Sequence, residues 1–455
     1  MGRVRWLLAA CPCIMTKIAA PNTAALGERQ AMPSKETNEL LTRVEGDAPM
    51  GRMLRQHHWV PAVRAAKLVA DGAPAHVRLF GRDYVAFRAT DGRVGLLDEA
   101  CPHRRASLLL ARNEDCALTC IFHGWKIGVD GTLLDTPTQF HRKEAFAASV
   151  KVRRYPVREA GGLVWVWLGD DGEAPPFPEF EFTQLPPENI VVASAQIDCN
   201  WIQGLEAALD PVHVGILHSS FIGSGRGYLG LTSAATPYFQ VLPKDFGLQV
   251  AALRPLGDGT TYVRVTSYVM PYYGFTPPND PKLADRTVLI AVPVDDTHTR
   301  QFFVRYNLFG SPIDNHFAET VEASDPDNYT PFPGGKDAVW GQDREAMKNG
   351  HFTGFPRNIF SEDMVVQVSM GPITDRSEEH LSESDIGIVH GRRLLIEAAC
   401  AFQEGKHPVG APEGIDYRSV RAPTGLIKGG TDWQAELSTL EDAPTPEPSL
   451  AGEPG

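Results

Sequence analysis

Two short segments of this chain each place a cysteine close to a histidine. Cys101 stands two residues before His103, and Cys120 stands three residues before His123. Thiolate and imidazole are side chains that bind zinc, copper and iron readily. Only sixteen residues separate His103 from Cys120, so the two pairs could meet in one metal-binding site.

The spacing within each pair bears on the kind of metal site. Structural zinc sites prefer wider pairs, with about two to four residues between cysteines and about three to five between histidines. A cysteine and a histidine this close reach two neighbouring metal atoms more easily than one tetrahedral ion. In a Rieske centre, one iron of a [2Fe–2S] cluster takes two cysteines and the other takes two histidines. The spacing favours such a cluster, and a Cys2His2 zinc site is the alternative.

A second set of metal-binding side chains lies in CNWIQGLEAALDPVHVGILHSS, residues 199–220. Asp210, His213 and His218 form the pattern D-x2-H-x4-H. Residues five apart on an ideal helix point about 140° apart, and Pro211 disturbs a helix at this point. Only a distorted helix would therefore bring both imidazoles to one metal. Two ordinary, partly buried histidines are the other interpretation of this segment taken alone.

Together the two patterns resemble the Rieske non-haem iron oxygenases. CPH and CIFHGW look like the two ligand loops of a Rieske domain. NW-x-Q-x2-E-x3-D-x2-H-x4-H is similar to the mononuclear iron motif of these oxygenases. The resemblance implies a [2Fe–2S] cluster and a mononuclear Fe(II), with the ligands Cys101, His103, Cys120 and His123 for the cluster and His213 and His218 for the iron.

Two further positions bear on this resemblance. The iron needs a carboxylate to complete a 2-His-1-carboxylate triad, which leaves the opposite positions open for O2 and substrate. Asp363 stands in D-x3-Q-x-SMGPI, which resembles the phthalate-dioxygenase-like branch. Glu362 is the adjacent competitor, and a surface carboxylate at a helix start is the interpretation without a metal. Arg105 departs from the family pattern, in which glycine is common at this position.

Asp210 has a separate role in the family. The aspartate before the iron histidines bridges there to a cluster histidine of the neighbouring subunit, so Asp210 is expected to hydrogen-bond His123 of another chain. A carboxylate between two metal-bound imidazoles fixes their orientation. One chain's cluster then serves the next chain's iron, and this heterologous contact must close into a ring. A homotrimer or stacked trimers are expected. An N-cap is the simpler role for Asp210.

The hydrophobic pattern indicates the elements that position these residues. Short β-rich runs joined by turns surround the cluster segment and predict a small all-β Rieske domain over 50–170. The region 180–430 mixes strand and helix candidates, including a long helix over 375–402 that contains Gly391 as a weak point. The predicted fold class is α+β, in which a larger catalytic domain combines an antiparallel sheet with packed helices and is helix-grip-like. Disorder is predicted for 1–35 and 440–455.

Composition excludes several classes of protein. The net charge is −13 without a long basic run, so a nucleic-acid partner is not expected. The sequence contains no run of eighteen apolar residues, so no membrane-spanning helix is predicted. Seven cysteines over 455 residues argue against a secreted disulfide scaffold. MGRVRWLLAAC has too short an apolar stretch for an export signal, so a cytoplasmic location is expected, and Met32 is a reasonable start.

The implied function is that of an oxidoreductase in EC class 1.14. The resemblance covers about residues 35–405 and points to the oxygenase components of phthalate 4,5-dioxygenase and its relatives. It implies dioxygenation or monooxygenation of an aromatic compound, and the predicted substrate is an aromatic carboxylate of the phthalate or benzoate type. O-demethylation of a methoxylated aromatic acid at the same iron is the alternative, and a Rieske electron carrier with a degenerate second domain is a third hypothesis.

Partners and substrate contacts follow from the same resemblance. The chain has no Gly-rich dinucleotide fingerprint and no second cysteine cluster, so a separate NAD(P)H-dependent reductase, with or without a ferredoxin, must supply electrons. An aromatic carboxylate needs a cationic partner, usually arginine. Arg226, shortly after the iron histidines, is a weak candidate for this anchor.

Overall fold

The computed structural model describes residues 34–222, 231, 237–278, 285–310, 326–327 and 332–441. Arg226 and most of the two predicted disordered ends lie outside these residues. The predicted division of the chain at residues 170–180 stays a prediction. In the described part of the chain, no helix is both long and apolar enough to cross a membrane.

Three small antiparallel sheets surround the cluster segment. Two helices precede them, α1 (Lys35–Thr42) and α2 (Pro49–His57), and the helix α3 (Lys143–Ser149) follows the eighth strand. The strands are β1 (Trp59–Arg64), β2 (Ala75–Leu79), β3 (Arg82–Arg88), β4 (Val94–Asp98), β5 (Arg112–Glu114), β6 (Ala117–Thr119), β7 (Lys126–Gly128), β8 (Leu133–Asp135), β9 (Val157–Ala160) and β10 (Leu163–Trp167). They pair in the orders β1-β10-β9, β2-β3-β4 and β5-β6-β7-β8. The last two sheets carry the cysteine and histidine loops.

The rest of the described chain forms one large antiparallel sheet with helices against it. The strands are β11 (Ile190–Ile197), β12 (Tyr238–Lys244), β13 (Gly247–Pro255), β14 (Thr260–Val269), β15 (Tyr273–Thr276), β16 (Asp285–Pro293), β17 (Thr299–Asn307) and β18 (Thr424–Lys428). The order is β11-β17-β16-β15-β14-β13-β12, and β18 pairs with the free part of β14. The fold class is α+β, as predicted.

Seven helices in the described residues belong to this second part. They are α4 (Trp201–Leu209), α5 (His213–Ile216), α6 (Ser219–Phe221), α7 (Arg344–Lys348), α8 (Ile359–Ser369), α9 (Ile386–Gln403) and α10 (Trp433–Glu441). α4 is apolar over most of its surface and packs on the sheet, where its Trp201, Ile202 and Leu205 are buried. These residues belong to a core that also contains Val60 and Trp165 of the first part. One continuous core therefore joins the two parts of the chain.

The helix predicted over 375–402 is wrong in its first third. The continuous helix α9 begins only at Ile386, after short 3-10 turns at Arg376–Glu378 and Glu383–Asp385. The Ser382 backbone N–H donates to the Asp385 carboxylate at 2.6 Å. Such local side-chain contacts satisfy backbone groups outside a helix, and they end the irregular segment where α9 starts.

Gly391 lies inside α9 and is also a packing position. A Cβ built on it would lie 2.8 Å from the Leu209 side chain. A Cβ at this position would require the Leu209 side chain to shift, so glycine lets α9 approach the end of α4 closely. The helix that ends beside Asp210 is thereby held against a second long helix.

Candidate metal centres

The two cysteine–histidine loops form the same turn. In the first loop, the Arg105 N–H donates to the Cys101 carbonyl, at 2.9 Å. In the second, the Gly124 N–H donates to the Cys120 carbonyl, also at 2.9 Å. The fifth residue has a positive φ in both loops, 64° at Arg105 and 70° at Gly124. This backbone conformation favours glycine, so Arg105 holds a conformation that glycine, the common residue of the family pattern, adopts more easily.

The turns bury the cysteines and bring the two histidines together near the surface. Cys101 and Cys120 are 1% and 3% exposed, whereas both histidines are half-buried. The His103 and His123 rings lie 4.5 Å apart. Trp125 stacks on His103 at 4.6 Å. All four predicted ligands are therefore collected at one end of the two small sheets.

These residues fit a cluster in which each iron takes a pair of like ligands. Burial, together with the neighbouring Cys120, raises the pKa of Cys101 to about 11. Two adjacent buried thiols hold their protons tightly in the absence of a metal, and a metal ion that binds both sulfur atoms displaces these protons. His123 Nδ1 is buried and has no hydrogen-bond partner in the described residues. An unsatisfied imidazole nitrogen beside a paired-thiol site matches a [2Fe–2S] ligand set.

The segment with the D-x2-H-x4-H pattern is a broken helix. Asn200 begins α4 by accepting a hydrogen bond from the Ile202 N–H, at 3.1 Å. α4 ends at Leu209, directly before Asp210 and Pro211. A short helical turn, α5, then starts at His213. The break, expected from Pro211, lets two imidazoles five residues apart face the same point.

Asp363 completes a three-residue group with these histidines. Its Oδ1 lies 3.1 Å from His218 Nε2 and 3.5 Å from His213 Nε2. One ligand atom from each residue falls within 4.8 Å of the other two. Adjacent ligands about 2.1 Å from one metal stand about 3 Å apart. The separations suit a single ion bound on one face.

The charges of this group also suit a metal ion. Burial raises the pKa of Asp363, but His218 and His213 lower it further, and the net pKa lies below the usual range. Asp363 Oδ1 is buried and faces the Nε2 atoms of both histidines. For His218, burial lowers the pKa, yet the carboxylates of Asp363 and Glu362 raise it to about 9. A proton and a metal ion therefore compete for this site.

Glu362, the competitor for the third ligand, faces the other side of His218. Its Oε2 lies 2.7 Å from His218 Nδ1, while Asp363 faces Nε2. The two carboxylates follow each other in the first half of α8 and flank one imidazole from opposite edges. The geometry therefore favours Asp363 as the ligand and places Glu362 behind it.

Asp210 lies behind the other histidine. Its Oδ2 is 3.5 Å from His213 Nδ1, and its Oδ1 accepts a hydrogen bond from the Val212 N–H at 2.7 Å. Burial raises the pKa of Asp210, but His213 and backbone N–H groups lower it, so the net pKa is lowered. About a quarter of the side chain is exposed. Asp210 thus serves the local turn and leaves surface for another contact.

A cavity of about 140 Å³ opens beside the three-residue group. Alternate residues of neighbouring strands face it, as expected for side chains with a period of two. Its lining includes Arg264 and Thr266 of β14, Thr287 and Leu289 of β16, and Gln301, Phe303 and Arg305 of β17. Cavities of about 150 Å³ with apolar walls admit benzene, so one aromatic ring fits next to the candidate metal.

Sequence reasoning missed the two arginines of this cavity. Arg264 lies in TYVRVTSYVM, and Arg305 lies in QFFVRYNLF, both predicted as strands. A charged residue on the same face as buried neighbours such as Phe303 is a signal that period-two counting can find. The cavity, however, also needs the sheet order, which the sequence pattern did not predict.

Comparisons with protein families match most of the chain. The model described as Rieske [2Fe-2S] domain matches residues 58–156. The model described as LigXa C-terminal domain like matches residues 166–449. The two matches follow each other along the chain and cover the two parts of the fold.

Curated relatives are similar over most of their length. The phthalate 4,5-dioxygenase oxygenase subunit of Pseudomonas putida is 38% identical over 89% of this chain and 94% of its own. The 3-chlorobenzoate-3,4-dioxygenase oxygenase subunit of Comamonas testosteroni is 32% identical over 89% and 97%. The 5,5'-dehydrodivanillate O-demethylase oxygenase subunit of Sphingobium sp. (strain NBRC 103272 / SYK-6) is 28% identical over 83% of each.

A solved structure shares the fold at low sequence identity. The terminal oxygenase of carbazole 1,9a-dioxygenase from Nocardioides aromaticivorans IC177 has a TM-score of 0.55 at 19% identity. The match covers 84% of this chain and 99% of that one. This chain therefore shares its overall fold with that solved terminal oxygenase.

Proposed function

The chain belongs to the Rieske non-haem iron oxygenases of the phthalate 4,5-dioxygenase-like branch, and from this premise we propose that it oxygenates an aromatic carboxylate. As an oxygenase subunit it uses a Rieske [2Fe–2S] cluster and a non-haem iron. We propose Cys101, His103, Cys120 and His123 as the cluster ligands and His213, His218 and Asp363 as the iron ligands.

With both groups bound, the cluster supplies single electrons and the iron activates dioxygen. The protein's own contribution is to hold one ring of the substrate beside the iron and to limit water there. The walls that do so are apolar or aromatic, and include Leu289, Phe303 and Phe360. Phe303 and Phe360 pack at 4.5 Å, so this wall has a defined shape.

The buried side chain of Arg264 is the main support for a carboxylate on the substrate. It lines the cavity and is 5% exposed. Its guanidinium donates to the carbonyl oxygens of Pro278 and Pro277, at 2.9 and 3.1 Å. Within the described residues, no carboxylate pairs with it. Burying a charge without a counter-charge is costly, so a substrate anion would compensate it.

A second cation supports an acidic substrate of the phthalate or benzoate type. Arg305 also lines the cavity. It lies on β17, and the strands β16 and β15 separate it from β14, which carries Arg264. Arginine recognises carboxylates through paired hydrogen bonds. Two guanidinium groups at separate points of one cavity suit an aromatic ring with a carboxylate and a further acceptor group.

O-demethylation is a second candidate for the reaction. The relative of Sphingobium sp. is named as an O-demethylase oxygenase subunit, and the proposed iron site serves either reaction. The two reactions differ in their products, because demethylation of a methoxy group releases formaldehyde and leaves a phenol. An electron carrier without oxygenase activity would require a broken triad, and the three candidate ligands lie within reach of one ion.

The assembly is part of the proposal. We propose a homotrimer or stacked trimers, in which Asp210 of one chain contacts His123 of the next. The partly exposed side of Asp210 supports this arrangement. A separate NAD(P)H-dependent reductase, with or without a ferredoxin, would deliver the electrons, since the relatives are named as oxygenase subunits.

Product analysis with a substrate panel tests the reaction. The chemically reduced protein receives phthalates, benzoates and methoxybenzoates under labelled dioxygen, and products are identified by mass spectrometry. Two labelled oxygens in one ring product indicate a dioxygenase, and a phenol with formaldehyde indicates a demethylase. Absence of any product from reduced, iron-loaded protein would contradict an aromatic-acid substrate.

The role of Arg264 is tested by comparing acids with their neutral amides. Hydrogen bonds to charged groups contribute about 1.5–3 kcal/mol, so Arg264→Gln should lower kcat/KM for the acid about 10- to 100-fold. The amide should be affected much less, so the preference for the acid should disappear. Arg112→Gln, which removes an exposed guanidinium, should leave that preference unchanged. An unchanged preference in Arg264→Gln would contradict the assignment.

A further inference from the structure

Glu362 is a fully buried carboxylate with both oxygens engaged. Its Oε2 lies 2.7 Å from His218 Nδ1, and its Oε1 accepts a hydrogen bond from the Thr353 hydroxyl. The Glu362 side chain has no exposed surface, and that of His218 is 2% exposed. Neither side chain can turn toward solvent, so the contact is kept in one geometry.

The negative charge of Glu362 has one counterpart in the described part of the chain. Its single ion pair there is with His218, and no arginine or lysine of the described residues approaches it. A buried carboxylate is unfavourable unless a positive charge compensates it. The first turn of α8 favours negative charge at its N-terminus, but the group that faces the carboxylate directly is the imidazole.

We infer that Glu362 is a positioning residue for the iron ligand His218. By accepting a hydrogen bond from Nδ1–H, it selects the tautomer whose Nε2 lone pair is free for the metal, and it fixes the plane of the ring. Its charge also makes the imidazole a stronger donor to a metal ion. The inference rests on the proposed iron site and adds a residue behind it.

The Nδ1 atoms of the two proposed iron histidines face carboxylates in different surroundings. His213 Nδ1 faces Asp210 at 3.5 Å, and both of these side chains are between a fifth and a quarter exposed. His218 Nδ1 faces a carboxylate at 2.7 Å that is closed off from solvent. The Asp210 side is open to a contact from another chain. The Glu362 side is insulated, and its role is confined to the metal site.

Thr353 connects this contact to a separate segment of the chain. It precedes α8 and donates to Glu362, while the neighbouring Phe352 N–H donates to Ser220 Oγ at 2.7 Å. Ser220 belongs to α6, directly after His218. The segment around residues 352–353 therefore contacts both the iron-ligand helix turn and the residue behind it.

Two variants separate the charge of Glu362 from its hydrogen bonds. Glu362→Gln keeps the shape and can still accept from His218 and donate to Thr353, whereas Glu362→Leu removes every polar contact. The iron retained during dialysis against increasing chelator measures affinity. We expect a loss of affinity of about 10-fold in the glutamine variant and about 100-fold in the leucine variant. The EPR line shape of the nitric oxide complex of the ferrous site should change in both.

Matched variants decide the result. Glu345→Gln removes an exposed carboxylate on α7 and should leave the iron affinity and the EPR line shape unchanged. The EPR signal of the Rieske cluster should stay the same in every variant. If the Glu362 variants do not fold, Thr353→Val, with Thr353→Ser as the rescue, tests the same contact. Wild-type iron affinity and line shape in Glu362→Gln and Glu362→Leu, or in Thr353→Val, would overturn the inference. Retention of this iron in Asp363→Ala would instead overturn the proposed iron site.

Discussion

At the level of single residues, the metal-site candidates are defined by which atom of each side chain faces which neighbour. Asp363 and Glu362 differ by one position in the sequence, yet they face Nε2 and Nδ1 of the same histidine. A helical residue and its neighbour point about 100° apart, so two successive carboxylates reach opposite edges of one ring. This difference in direction makes one a candidate ligand and the other its support.

Removing the Asp363 carboxylate should remove one iron and leave the cluster. The total should fall from about three to about two irons per chain in Asp363→Ala, because a Rieske cluster holds two and two imidazoles alone hold the third weakly. Elemental analysis gives the count, and EPR of the reduced protein reports the cluster. Asp47→Ala, which alters an exposed loop carboxylate, serves as the control. A count of three in Asp363→Ala would show that the third iron has another ligand.

At the level of elements, a buried ionic network holds α4, the helix that precedes the candidate iron histidines, against its neighbours. Glu206 of α4 accepts from Arg376, at 3.0 and 3.1 Å, and from Arg392 of α9, at 2.6 Å. Arg392 also pairs with Glu379. The two arginines are 0% and 7% exposed. The end of α4, which Asp210 and the candidate iron histidines follow, is therefore fixed by contacts to residues far along the chain.

This network should make stability depend on pH. Burial raises the pKa of Glu206, but Arg376 and Arg392 lower it more, so the folded pKa lies below the ordinary value of 4.5. The stabilisation is complete above about pH 4.5 and is lost as the pH falls through the folded pKa. Glu206→Gln should lower the free energy of unfolding by about 3 kcal/mol at pH 7, and by progressively less as the pH falls through the folded pKa of Glu206.

Urea unfolding of the wild type and Glu206→Gln, at pH 7 and at acidic pH, measures this difference in the free energy of unfolding. Glu397→Gln breaks a half-exposed pair with Arg393 on α9 and should cost less than about 1 kcal/mol. Equal destabilisation by the two variants at pH 7 would mean that the Glu206 network adds no more than a surface pair.

At the level of the whole molecule, the cluster histidines face outward. Ile121 and Phe122 beside His123 are 60% and 51% exposed, and Arg104 lies over the Phe122 ring at 5.3 Å. Within the chain, the β2–β3 turn and the β16–β17 turn are joined by backbone hydrogen bonds such as Gly81 N–H to the Val294 carbonyl, at 2.8 Å. An apolar, outward-facing cluster end suits contact with another protein surface, as the proposed ring of subunits requires.

Mixed assemblies test whether electrons cross between chains. His123→Ala removes a cluster ligand and Asp363→Ala removes an iron ligand, so neither homo-oligomer should turn over substrate. When the two are co-expressed in equal amounts, about a quarter of the junctions in a ring pair an intact cluster with the next chain's intact iron. About a quarter of the wild-type rate per chain is therefore expected. No recovered activity in isolated mixed assemblies would contradict transfer between subunits.

Much of the site was accessible from local sequence. The cysteine and histidine loops and the pattern after Asp210 are short and rich in metal-binding residues, and the break at Pro211 follows from the chemistry of proline. The start of α9 was misplaced because the turns before it are held by contacts such as Arg376 with Glu206, which lie 170 residues apart. Propensity and periodicity do not include such contacts.

The sequence by itself determined the class of the protein and its candidate metal ligands, because ligand chemistry resides in residue types at short spacing. Only the tertiary structure decided that Asp363 rather than Glu362 faces the two Nε2 atoms, that Glu362 backs His218, and that Arg264 reaches the cavity. Each of these depends on how strands and helices distant in the sequence pack together. Packing sets the direction and burial of a side chain, and no local pattern contains that information.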